Sequence, residues 1–114
     1  MTTCIFCKII AREIPCTPVF ENEHLIAIDD ISPVAPVHKL IIPKKHISTL
    51  NDLTAEDIPL IGHLLSTGTH LAKTLKIDQD GYRLVENCNA GAGQTVYHVH
   101  FHLLGGRTFH WPPG

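Results

Sequence analysis

Apolar and polar positions recur along this chain at two different periods, and the switches between them mark its elements. Ile5 and Ile9, with Phe6 and Ile10 beside them, fall at helical spacing within residues 4–12, predicting a short helix closed before Pro15. Brief apolar runs at 19–21 and 25–28, separated by Asn22-Glu23-His24, predict a tight hairpin. A loop through Asp29-Asp30-Ile31-Ser32-Pro33 and Pro36 leads to a strand at 38–43. Thr54, with Asp57 three residues on, signals the start of a long helix whose stripe is Ile61, Leu64, Leu65, Gly68, Leu71, Ala72 and Leu75. Pro59 falls near its first turn, where the missing N–H predicts some distortion. After Gly81, residues 82–87 read as a strand, 88–94 as a Gly-containing loop and 95–104 as the last strand. Strands outnumber helices and most joins are too short for a crossover helix. This predicts an α+β domain with a mostly antiparallel sheet.

The last strand carries the chemistry. Side chains alternate faces along a strand, so Tyr97, Val99, Phe101 and Leu103 form a core face and His98, His100 and His102 the other. At a rise of roughly 3.3 Å per residue, the imidazoles would stand about 7 Å apart. Two chemistries fit such a row. It offers ligands for Zn²⁺, or its middle imidazole is a nucleophile whose neighbours fix its tautomer and handle protons. Asn87-Cys88-Asn89-Ala90-Gly91-Ala92-Gly93-Gln94-Thr95 runs straight into the row and suggests a phosphate seat, with Gln94 and Thr95 as neutral donors.

Composition narrows the choice. The chain has 114 residues, one domain by length, with nine histidines and a formal net charge of −2. No broad basic surface for nucleic acid is implied, and no stretch resembles a membrane span or a signal-peptide core. Four cysteines in a chain read as cytoplasmic argue for metal binding or burial over a disulfide framework. The tail, ending Trp111-Pro112-Pro113-Gly114, is too apolar for solvated disorder and is expected to dock on something.

His98-Val99-His100-Phe101-His102-Leu103-Leu104 resembles the His-x-His-x-His-x-x motif of the histidine-triad superfamily. The likeness extends from Ile5 to Gly114. Asp30-Ile31-Ser32-Pro33, Ile42-Pro43-Lys44-Lys45-His46-Ile47, Gly93-Gln94-Thr95-Val96-Tyr97 and the tail from Leu104 through His110-Trp111 resemble the Hint branch in particular. The resemblance implies one roll-like α+β domain over residues 1–114, with a five-stranded sheet and one long and one short helix. It implies a homodimer whose sheets join across the interface, with the tail 105–114 docked on the partner. The activity it implies is hydrolysis of the P–N bond of purine nucleoside 5′-phosphoramidates, giving AMP and an amine. His100 would be the nucleophile, His98 its orienting neighbour, His102 a contact to the phosphate or departing group, and His46 a fourth histidine nearby. Asn87, Gly93, Gln94 and Thr95 match phosphate-side positions, and Asp30 matches the ribose position. Ile5, Phe6, Ile9, Ile28 and Ile31 match the base-pocket walls, and Trp111 a residue reaching the partner's site. Thr95 stands where many Hint proteins have Ser, and Asp29 adds a second carboxylate beside Asp30.

Cys4-Ile5-Phe6-Cys7 read alone fits two core cysteines or a metal pair. The resemblance implies a structural Zn²⁺ on Cys4, Cys7, His46 and His98. His24, His38, His63, His70 and His110 read as surface or packing residues, Cys16 and Cys88 as ordinary small residues, and Lys44-Lys45 as a solvated turn. Three other readings remain open: a dinucleoside polyphosphate hydrolase, a zinc-stabilised nucleotide-binding regulatory protein, and a zinc hydrolase using His98 and His100 as ligands.

Overall fold

Local turn chemistry sets the sheet, seen in a computed structural model that describes residues 3–114. Asn22 Oδ1 accepts from the backbone N–H of His24 (2.8 Å) and Leu25 (3.0 Å), an Asx turn that reverses the chain. Strand β1 (Phe20–Glu21) therefore folds back on β2 (Leu25–Asp29), and β2 pairs in turn with β3 (Val37–Pro43). The chain next leaves the sheet through two 3₁₀ turns, Leu50–Asp52 and Ala55–Asp57, each closed by a reciprocal Thr/Asp capping box. Helix α2 (Ile58–Thr74) follows, so the Thr54–Asp57 signal opens a 3₁₀ turn and the helix begins one step later. Pro59 sits in the first helical turn, where the missing N–H has no partner to lose.

After α2 the chain forms β4 (Tyr82–Val85) and then β5 (Phe101–Gly105), which inserts between β3 and β4. The order is β1-β2-β3-β5-β4, every pair antiparallel. This is the α+β arrangement predicted. Pleating divides the sheet into two buried faces. Helix α2 covers Leu25, Ala27, Ile41, Phe101 and Leu103 with Leu64, Leu71 and Ala72. The short helix α1 (Ile5–Ile10) lays Phe6 and Ile9 over Ile26, Ile28, Leu40 and Ile42 on the opposite face. A Cβ on Gly68 would stand 2.8 Å from a Leu84 methyl, so glycine lets α2 approach β4 this closely.

Three expectations change. Leu65 (40% exposed) and Leu75 (36%) lie outside the helix's buried stripe, which Thr67 joins instead. The strand expected at 82–87 ends at Val85. The strand expected at 95–104 begins only at Phe101, because Val99 N–H donates to Ile47 O (2.7 Å) and draws the preceding residues away from the ladder. Tyr97 is consequently half exposed rather than part of a core face. Among the described residues, no helix is long and apolar enough to cross a membrane.

Candidate active site

The α1 face of the sheet gathers the histidines, and backbone carbonyls determine which ring nitrogen of His98 and His100 carries a proton. A carbonyl only accepts. His100 Nδ1 lies 2.8 Å from His98 O, so its proton is on Nδ1 and its lone pair on Nε2. His98 Nε2 lies 2.8 Å from Pro43 O, so Nε2 donates there and Nδ1 keeps the lone pair. His98 is fully buried and His100 nearly so, and Phe6 presents its ring edge-on to both at centroid distances of 5.9 and 5.0 Å. The row is tighter than an extended strand would allow, with His100 and His102 centroids 5.0 Å apart. Burial pushes His98 and His38 below the usual imidazole range. His102 is lowered to about 4, by burial first and then by His100 and His38. These rings are therefore neutral at pH 7.

A cleft of about 330 Å³ opens onto His100 and His102, within the roughly 300–1,000 Å³ common for small-ligand sites. Ile5, Phe6, Ile9, Ile28 and Ile31, the expected base-pocket walls, all line it, as do Asp30 and Thr95. Asp29, Leu40 and Val96 complete the lining. Ile31 is almost wholly exposed (99%), an apolar lip at the edge of the cleft. Asp30 Oδ1 accepts from Ser32 N–H (2.7 Å), which sets its carboxylate at the mouth. A second groove, about 440 Å³, lies beyond Thr95 and Val96 and is bordered by Cys4, His46, Ser48 and Tyr97.

The glycine-containing loop is held by its own hydrogen bonds. The N–H groups of Ala92, Gly93 and Gln94 donate to Asn89 O, Ala90 O and Asn89 O at 3.0–3.1 Å, so they close the loop's own turn. Gln94 is buried. Its Oε1 accepts from Asn89 N–H (2.7 Å), and its Nε2 donates to Ser48 O (2.8 Å) and Val96 O (3.1 Å). Gln94 thus ties the loop down and carries Thr95 to the cleft wall, while Asn87 and Gly93 lie outside the lining. Trp111 also stands outside it, 83% exposed at the end of the tail. The tail is anchored by Arg83, which donates to His110 O and lies over the Phe109 ring (5.3 Å), and by Arg107 Nε donating to Val34 O (3.0 Å).

Beneath the row, Cys4, Cys7, His46 and His98 offer four donor atoms within 4.8 Å of one another. Cys4 is the N-cap of α1, its Sγ accepting from Cys7 N–H, so helix geometry points both thiols the same way. The two Nδ1 atoms are 3.1 Å apart, and the sulfur–nitrogen separations are 3.3–3.6 Å. Zn–N bonds of 2.0–2.1 Å and Zn–S bonds of 2.3 Å give tetrahedral edges of about 3.3 Å and 3.6 Å, so the donors fit a zinc ion.

His38, read from sequence as a packing residue, belongs to the site. Strand β3 pairs Leu40 with His102, which brings His38 onto the same face, its Nε2 2.9 Å from His102 Nδ1 and 3.4 Å from Asp30 Oδ2.

A sequence profile of the HIT domain matches residues 11–109. The chain is 52% identical over 110 residues to an uncharacterised HIT-like protein of Synechocystis, covering 96% of each. It is 48% identical over 103 residues to a purine nucleoside phosphoramidase of Escherichia coli K12, covering 90% of this chain and 87% of that one. A crystal structure of a HIT family hydrolase from Legionella pneumophila superposes with a TM-score of 0.96 at 53% identity, covering 98% of this chain and all (100%) of the other.

Proposed function

The chain belongs to the HIT domain family, and on that premise we propose that it hydrolyses purine nucleoside 5′-phosphoramidates to the nucleoside monophosphate and an amine. The observation that carries this reading is the tautomer of His100: its Nδ1–H is held by the chain's own carbonyl, leaving the Nε2 lone pair for the cleft. In the proposed reaction Nε2 attacks the α-phosphorus and the P–N bond breaks, its electron pair leaving on the amine nitrogen, which takes up a proton. Water then cleaves the nucleotidyl–His100 bond, releasing the monophosphate and restoring the imidazole. The phosphoramidase name of the Escherichia coli relative supports the choice of substrate.

The residues divide the work by position. The apolar walls Ile5, Phe6, Ile9, Ile28 and Ile31 suit a purine face, and Asp30 at the mouth suits two ribose hydroxyls. Thr95 borders both clefts, and in this reading its hydroxyl meets the phosphate as the amine departs through the second groove. Asn87, Gly93 and Gln94 are assigned to the phosphate side of the nucleotide in this reading, with Gln94 holding the loop next to Thr95 through Asn89 N–H and Ser48 O. Zinc on Cys4, Cys7, His46 and His98 would act as a structural cation, locking the His98 ring and with it the carbonyl that orients His100. The reading also takes residues 1–114 as one HIT domain, acting in the cytoplasm as a homodimer whose sheets join. The tail 105–114 would carry Trp111 to the partner's cleft, and the exposure of Trp111 supports this.

A fluorogenic adenosine phosphoramidate assayed with wild type and His100→Ala, with metal content measured on both, tests the proposal. Turnover by wild type, and loss of it with metal retained in the variant, is the expected result. Full activity in His100→Ala sinks the nucleophile.

A further inference from the structure

We propose that Ser48 selects the departing amine in the second groove, and that the Cys4/Cys7/His46/His98 cage sets the sense of its hydrogen bond through His46, an inference that rests on the reading of the cleft given above. The groove of about 440 Å³ is bordered by Cys4, His46, Ser48, Thr95 and Tyr97, and none of its described lining residues is Asp, Glu, Lys or Arg. Recognition there falls to neutral polar groups. Thr95, shared by both clefts, is taken up by the phosphate, and Ser48 lies in the groove alone. Ser48 Oγ has a defined neighbour, His46 Nε2 at 3.4 Å. The backbone pins Ser48 from both sides. Val99 N–H donates to Ile47 O (2.7 Å), and buried Gln94 donates from Nε2 to Ser48 O (2.8 Å). Thr49, 6% exposed, then opens the capped 3₁₀ turn with its N–H on Asp52 Oδ2 (3.1 Å). Gln94 also precedes Thr95 in the chain, so one amide fixes Ser48 and Thr95 relative to each other. What is left to set is the direction of the Ser48 O–H.

His46 decides that direction. His98 donates from Nε2 to Pro43 O, so its Nδ1 lone pair faces His46 Nδ1 at 3.1 Å. Two facing lone pairs repel. In chelator-stripped protein a neutral His46 therefore carries its proton on Nδ1, shared with His98, and its Nε2 accepts from the Ser48 hydroxyl. Ser48 then offers the groove only lone pairs. When His46 gives its Nδ1 lone pair to Zn²⁺, its proton moves to Nε2 and is donated to Ser48 Oγ, which turns the Ser48 hydrogen toward the groove. Neither side chain gains or loses a proton; only the seat on the imidazole changes. The loaded groove thus presents a donor, and it suits a departing amine that carries an acceptor close to its nitrogen, a carboxylate or a carbonyl. An amine carrying a second ammonium meets no anionic group among the described lining residues.

Ring ¹⁵N NMR on wild type tests the link between cage and groove. Zinc added to chelator-stripped protein should move the His46 proton from Nδ1 to Nε2. A proton that stays on Nδ1, or that sits on Nε2 before zinc is added, overturns the proposal. Kinetics on adenosine 5′-phosphoramidates of glycine, propylamine and 1,2-diaminoethane test the selection. Zinc-loaded wild type should prefer the glycine conjugate to the propylamine conjugate in kcat/KM by about 5–30-fold, and Ser48→Ala should lose most of that preference while Ser48→Thr keeps it. Each variant is compared with itself on two substrates, so a poorly folded fraction leaves the ratio intact. Equal ratios in wild type and Ser48→Ala, or a preference for the diamine, contradict the assignment. Stripping zinc from wild type should reduce the glycine preference to near that of Ser48→Ala; an undiminished preference breaks the link. Absence of turnover on all three conjugates sinks the functional reading and the assignment of the groove with it, whereas the NMR result decides the His46–Ser48 relay by itself.

Discussion

Zinc added to metal-free protein should raise its unfolding temperature, and the structure sets the scale. The donor atoms of Cys4, Cys7, His46 and His98 already stand at near-tetrahedral separations, so the folded chain needs little rearrangement to bind. An ion that binds only the folded state adds RT ln(1 + [Zn]/Kd), about 2.7 kcal/mol when free zinc is about a hundred times Kd. For a chain of 114 residues that is a rise in Tm of roughly 8–12 °C. Each thiol must lose a proton to ligate, so the rise should grow with pH. The informative variant is Cys4→Ser. Serine is a strong N-cap and keeps the cap of α1, so metal-free stability should hold while the zinc-dependent rise shrinks. Differential scanning fluorimetry on chelator-stripped wild type and variant measures both. No rise in wild type, or an equal rise in Cys4→Ser/Cys7→Ser, would refute the cage.

Glu86→Gln should stabilise the fold at pH 7, because it exchanges a buried carboxylate without a hydrogen-bond partner for an uncharged amide. Burial raises the folded pKa of Glu86 above its unfolded value of 4.5. The native carboxylate therefore costs stability as pH rises through the folded pKa, and the gain from Gln should vanish by pH 4. Chemical denaturation across that range measures it; a gain independent of pH contradicts the cause. In the Glu86→Gln background, stability should fall as pH drops from 6.5 toward 4. His38, His98 and His102 are held below 6.5, so the unfolded chain binds more protons across that window. A flat profile there would mean that these rings are not neutral in the fold. Gly105→Ala should destabilise by about 1–3 kcal/mol, because the new Cβ would lie 2.5 Å from Ile77 Cδ1 and 3.1 Å from its Cβ, and wild-type stability in the variant would contradict the packing.

Much of the site was legible because its motifs are local. The Cys4–Cys7 spacing is one helical turn, and His98, His100 and His102 stand out in any reading of the chain. Ile5, Phe6, Ile9, Ile28 and Ile31, which resemblance alone grouped together, line one cleft. His38 was not legible. In Val37-His38-Lys39-Leu40 it is one polar residue in an apolar strand, and only the β3–β5 register places it against His102. The structural partners of Gln94 were not legible either: Ser48 O and Val96 O are backbone groups no pattern reveals. The overlong last strand has the same origin. Alternation through 95–104 satisfies strand periodicity, but Val99 N–H pairs with Ile47 O, a long-range contact that removes residues 95–100 from the sheet. The alternation of His98 and His100 came from a bent segment held by His100 Nδ1 on His98 O.

Covalent chemistry at His100 Nε2 leaves an adduct that can be weighed. Its most direct measurement is mass spectrometry of enzyme quenched in mid-turnover on an adenosine phosphoramidate, with peptide mapping of any adduct. One added adenylyl group is expected, on His100, absent from His100→Ala and lost on standing as water cleaves it. Turnover with no adduct at any quench time, or an adduct on His98 or His102, would contradict it.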